Sequence, residues 1–74
     1  MMNRDYLKQL IFNRYTEYSK SEAINSFAKE IGVSRATLYN ILRYMLPKEE
    51  VLIKIGNVLD LDYNKLFRKE KTSE

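Results

Sequence analysis

The chain has 74 residues and a net charge of +3, with no Cys and no His. A chain of this length forms one small domain that buries only roughly 60–65% of its unfolded surface, leaving little room for an enclosed catalytic cleft. Without thiols or imidazoles there are no disulfides, no thiolate metal sites and none of the commonest acid-base group, so helix packing has to hold the fold.

No apolar run approaches the roughly 18 residues of a membrane span. The start also lacks the basic-then-apolar pattern of a secretory signal, so a soluble cytoplasmic protein is expected. The charge is unevenly distributed. Residues 1–46 hold seven Lys and Arg against four acids, whereas residues 47–74 hold six of each. The whole positive excess lies in the first part, which is a weak pointer to nucleic acid.

There are two Gly and one Pro, and neither a low-complexity stretch nor an internal repeat. The expectation is one all-α domain over residues 1–68, followed by a polar tail, residues 69–74, that frays. Leu7, Leu10, Ile11, Tyr15 and Tyr18 recur at helical spacing and predict a first helix from about Arg4 to Tyr18. Ser19 with Glu22 three residues later has the form of a capping box, which opens a second helix carrying Ile24, Phe27, Ala28 and Ile31 on one face. Gly32 suits the left-handed residue that stops that helix.

Ser34 is the expected N-cap of a third helix, Arg35 to about Arg43, seated by Leu38, Ile41 and Leu42. Pro47 fits the first position of a fourth helix, with Glu49 and Glu50 in its first turn and a buried stripe of Val51, Leu52, Ile55, Val58 and Leu59. Asp60 suits the turn that ends it. Asp62 is placed to cap a short fifth helix, Tyr63 to about Lys69, anchored by Leu66 and Phe67.

Residues 27–42, FAKEIGVSRATLYNIL, therefore contain two helices joined by the turn Gly32-Val33-Ser34. Small Ala28 allows close helix approach, Gly32 supplies a positive φ, and Ile31 and Val33 plug the angle between the helices. The outward residues of the third helix are then available to a DNA major groove.

Over roughly residues 20–68 the sequence resembles the phage repressor and Cro-like helix-turn-helix family, also called lambda-repressor-like. The run KIGNVLDLDYNKLF is similar to that family's fourth helix, leucine turn and fifth helix. The resemblance implies a five-helix domain that places its third helix in the major groove and binds as a two-fold dimer. Three departures stand out. Ile24 occupies the usual position of a phosphate-contacting Gln, Leu42 and Tyr44 replace the usual Glu and Gly, and the first helix with its connection is a couple of residues longer.

On the third helix, Arg35 is placed for guanine O6 and N7, Asn40 for adenine and Ala36 for a thymine methyl. The alternatives are a solvated Arg, a neutral polar residue and a plain helix former. Tyr39 either meets a base edge or phosphate, or lies along the helix and shields the core. Ser34 and Thr37 fit capping as well as phosphate contact. Lys20, Arg43 and Tyr44 flank the motif as further phosphate candidates.

The expected function is a sequence-specific regulator of transcription, a repressor above all, partnered by double-stranded DNA and by a second copy of itself. No cofactor, metal, or appended sensor or cleavage domain is expected. An antitoxin or another protein-binding component on the same fold is the alternative, favoured by the apolar loop Tyr44-Met45-Leu46. Enzymatic activity is not expected, since no acid-base pair, nucleophile arrangement or phosphate-cradling Gly loop occurs.

Overall fold

The computed structural model describes residues 2–67, and those residues form five helices: α1 (Arg4–Arg14), α2 (Lys20–Ile31), α3 (Arg35–Arg43), α4 (Glu49–Val58) and α5 (Tyr63–Leu66). The expected tail, residues 69–74, lies outside the described residues, and α5 ends at Leu66 rather than near the expected Lys69, because Phe67 leaves helical geometry at φ −110°, ψ 69°.

Local chemistry accounts for most helix boundaries. Ser19 Oγ accepts the Glu22 N–H at 3.1 Å, and the Glu22 carboxylate accepts the Ser19 N–H at 3.0 Å, which completes the capping box of α2. At the other end Gly32 adopts φ 75°, ψ 32°. There the Gly32 N–H reaches Lys29 O at 3.2 Å and the Val33 N–H reaches Ala28 O at 3.0 Å, the paired bonds of a Schellman turn. Ser34 and Asp62 cap α3 and α5 through their side-chain oxygens, as their sequence positions suggest.

Two further boundaries differ from expectation. Helix α1 ends at Arg14 rather than Tyr18, because Tyr15 leaves helical geometry at φ −121°, ψ 59° and the following residues turn. Ser19 has to be extended to cap α2, and the chain must leave the helix to get there. Tyr18 is consequently half exposed, with 50% of its surface open, and its ring lies tilted against that of Tyr15, 5.5 Å between centres, instead of entering the core. Helix α4 starts at Glu49, so Pro47 is not its first residue. Lys48, at φ −69° and ψ 160°, stays extended and holds the N-cap position with no side-chain bond to offer. Within α4 only Ile55 is fully buried, with Leu59 buried just past its end, while Val51, Leu52 and Val58 pack partly covered.

Every helix contributes to one core. Leu7 and Ile11 of α1, Phe27 of α2, Leu38 and Ile41 of α3, Ile55 of α4 and Leu66 of α5 are its largest fully buried side chains. Each such side chain contributes about 1.5–3 kcal/mol of burial. Helix α2 is central, packing on α1, α3 and α4, and this fixes the angle at which α3 is presented. No polar side chain is buried among the described residues.

Long-range ties close the structure. Met2 is buried and bridges to Phe67, while the Asn3 N–H donates to Leu66 O at 2.6 Å. The Asp62 N–H donates to the Tyr6 hydroxyl oxygen at 3.2 Å. Arg4, at the start of α1, donates from Nε to Ile41 O at 2.9 Å and from Nη2 to Met45 O at 3.3 Å. Ile41 lies in the last turn of α3 and Met45 just beyond it, where unsatisfied acceptors and the negative end of the helix dipole favour a cation. Arg4→Ala should therefore destabilise the domain by about 1.5 kcal/mol, near the lower bound for bonds from a charged donor, because the site is partly open to water. A chemical denaturation midpoint equal to that of the wild type would show that Arg4 does not anchor α3.

Candidate nucleic-acid interface

Helix α3 presents two faces set by its 3.6-residue period. Leu38, Ile41 and Leu42 face the core and are fully covered. Arg35, Ala36, Tyr39, Asn40 and Arg43 form the opposite face, with Arg35, Ala36 and Arg43 exposed and Tyr39 and Asn40 half-buried. The four residues expected to meet bases thus share one surface.

Arg35 is not a freely waving side chain. Its Nη2 donates to Ser21 Oγ at 3.1 Å and reaches the Tyr39 hydroxyl at 3.5 Å, and its guanidinium carbon lies 5.2 Å from the centre of the Tyr39 ring. The Arg35 guanidinium, with the Ser21 hydroxyl adding a smaller effect, holds the Tyr39 phenol below its usual value near 10. Ser21, from the first turn of α2, therefore braces a residue of α3 across the motif. Sequence reasoning passed over Ser21, and nothing in its local pattern distinguishes it from any other exposed serine.

The flanking candidates divide by what already occupies them. Ser34 accepts the Thr37 N–H at 3.0 Å, and its own hydroxyl donates to Thr37 Oγ1 at 2.9 Å, so capping takes both groups of Ser34. Lys20 is exposed, with Nζ 5.5 Å from the centre of the Phe12 ring. Tyr44 is 68% exposed immediately after α3. Ile24 is buried, so it fills the core at the position where a phosphate-binding side chain would have to face outward. Leu42 is likewise buried, leaving Tyr44 as the exposed departure in that segment.

Arg14, by contrast, is committed elsewhere. It forms a two-point ion pair with Glu30, Nε to Oε1 at 3.1 Å and Nη2 to Oε2 at 2.5 Å, and the Tyr15 hydroxyl donates to the same carboxylate. The Arg14 hydrogen bond, then that of Tyr15, holds the Glu30 carboxyl below the usual carboxylate range, and the same pairing holds the Arg14 guanidinium in its charged form. Partial burial first, and Glu30 second, push the Tyr15 phenol up. This exposed cluster ties the end of α1 to α2 and takes Arg14 out of the positive surface.

The helix-turn-helix family model matches residues 24–66, which run from α2 through α5. The chain belongs to the Cro/C1-type, lambda repressor-like helix-turn-helix family. Comparisons with curated proteins and with solved structures give no match. This helix-turn-helix domain has the all-α, five-helix architecture expected of the family, and the family is one of DNA-binding regulators of transcription. Helix α1 and the first turn of α2 lie outside the matched span, so the Arg4 tie to α3 and the Ser21 brace on Arg35 come from the part of the chain that the family model does not cover. Among the described residues no helix is long and apolar enough to cross a membrane.

Proposed function

We propose that this helix-turn-helix protein is a sequence-specific repressor that lays α3 in the major groove of double-stranded DNA and binds as a homodimer. The observation that carries the reading is the outward face of α3, on which Arg35 is held by Ser21, with Nη1 and the Nη2 hydrogen that reaches Tyr39 only at 3.5 Å able to turn to a base edge. A guanidinium fixed in this way loses less conformational entropy when it meets guanine O6 and N7, and this favours a reading role over a solvated one. Residues 1–68 act as one DNA-binding domain in the cytoplasm. Control comes from the concentration of the protein, from dimerisation or from a partner.

In this arrangement Arg35, Ala36, Tyr39 and Asn40 meet bases. Lys20, Thr37, Arg43 and Tyr44 meet phosphates, while Ser34, expected among them, is spent on the cap: it supplies the hydrogen that Thr37 Oγ1 accepts and leaves the Thr37 hydroxyl to donate its own. One domain of this size spans only a few base pairs, and two-fold pairing supplies the rest of the affinity. Selection from randomised duplexes should return inverted repeats with half-site centres about 10 base pairs apart. A single unpaired half-site recovered at full affinity would remove the dimer.

A second reading has one observation in its favour. Tyr44 and Leu46, in the connection from α3 to α4, are 68% and 61% exposed, an apolar pair that a protein partner such as the toxin of a toxin-antitoxin system would cover. A stable complex with the product of an adjoining toxin-like gene, formed by the wild type and lost in a Tyr44→Ser, Leu46→Ser double variant, distinguishes this role.

A further inference from the structure

Between α1, the start of α2 and the end of α3 lies an open groove of about 470 Å³. Three cations line it, one from each helix: Lys8 of α1, Lys20 of α2 and Arg43 of α3. No carboxylate does, and none of the three forms an ion pair among the described residues. Phe12, Ile24 and Leu42 supply the apolar part of the lining, and Lys20 is held toward it over the Phe12 ring. The sign of the surface reverses across the first turns of α2. A second groove of about 420 Å³, also bordering α2, is lined by Glu17, Tyr18 and Glu22 and carries no cation.

Three unpaired cations drawn from three helices are not local helix pairs, since residues that support a helix by charge lie three or four apart on the same one. Holding them around one concavity raises their mutual repulsion, which an anion in the groove relieves. The groove is also continuous with the reading face of α3. Ser21 and Tyr39, which hold Arg35, are part of its lining.

We propose that this groove receives the DNA backbone beside the segment that α3 enters, with Lys8 as a phosphate ligand alongside Lys20 and Arg43. The proposal rests on the DNA reading of α3 and extends it to α1, outside the span that the family model matches. A linear polyanion fits better than a compact one: the cations follow the groove from α1 to α3, and its apolar wall suits the C–H edges of deoxyribose. The acidic groove on the far side of α2 repels the same strand and sets the direction in which it leaves.

The test is a salt titration of Lys8→Ala on the selected operator and on a scrambled duplex, beside wild type and Arg43→Ala. Removing one phosphate ligand should flatten the plot of log affinity against log salt by about 0.9 and weaken binding about eightfold at 0.1 M salt, alike on both duplexes. Lys8→Arg should keep the wild-type slope. If Lys8→Ala melts below the wild type, Lys8→Gln, which keeps most of the alkyl stem, is read instead. Wild-type affinity and slope for the Lys8 variant, with a flattened slope for Arg43→Ala, would overturn the groove proposal while leaving the reading of α3 intact. Absence of duplex binding by the wild type would overturn both.

Discussion

Arg35→Ala should cost about 1–3 kcal/mol on the best operator, relax the preference at one base position in each half-site, and barely weaken binding to unrelated DNA. The reason lies in its place on α3. In the proposed docking Arg35 opens the helix that enters the groove, and its bonds to Ser21 and Tyr39 restrict it to a small set of orientations. Arg43 closes the same helix about two turns later, where a helix leaving the groove meets the backbone. Arg43→Ala should therefore weaken specific and scrambled duplexes alike and flatten the salt dependence by about one unit for each phosphate that Arg43 neutralises. Titrating both variants on both duplexes at several salt concentrations separates the two roles. Equal losses on both duplexes for Arg35→Ala, with base preference unchanged, would remove Arg35 from the reading set and strengthen the protein-binding alternative.

Gly32→Val is expected to destabilise the fold by about 1–3 kcal/mol, the cost of holding a β-branched residue in the left-handed region. At φ 75° the backbone between α2 and α3 is one that only glycine adopts freely. Space is not the obstacle. A Cβ built on Gly32 would find its nearest neighbour in Lys54 Nζ at 3.9 Å, an ordinary van der Waals separation, so the penalty is conformational. That makes Gly32→Ala informative, since it should carry most of the same cost, about 1–2 kcal/mol, without the branched side chain. The loss is a large share of the roughly 4–11 kcal/mol expected for a domain this small. For domains of this size it corresponds to about 4–8 °C of melting temperature per kcal/mol. A melting curve for Gly32→Val that overlays the wild type would mean the turn relaxes to another geometry.

The signals that proved legible in the sequence are local ones. Ser19 with Glu22, Gly32, Ser34 and Asp62 each act within one helical turn, so their residue types and spacing carry the information. The apolar spacing of α2 and α3 likewise identified Phe27, Ile31, Leu38 and Ile41 as core. The failures came where two local preferences competed. The periodicity of α1 extends through Tyr18, but the helix ends at Arg14, where Tyr15 leaves helical geometry and the chain turns toward the extended cap at Ser19. Pro47 is compatible with a first helical position, yet Lys48 remains extended and the helix opens at Glu49.

The sequence by itself determined the helix-turn-helix, its caps, its glycine turn and the outward face of α3, because each depends on groups a few residues apart and on a 3.6-residue period. Only the tertiary structure decided how that face is held and extended. Arg4 meets carbonyls 37 and 41 residues away, Ser21 meets Arg35 across 14, and Asp62 meets Tyr6 across 56. Lys8, Lys20 and Arg43 come to one groove only when α1 and α3 pack against α2. Such pairings have no periodicity to read. They arise when burial of the shared core brings together ends of the chain whose closure entropy no local preference could offset.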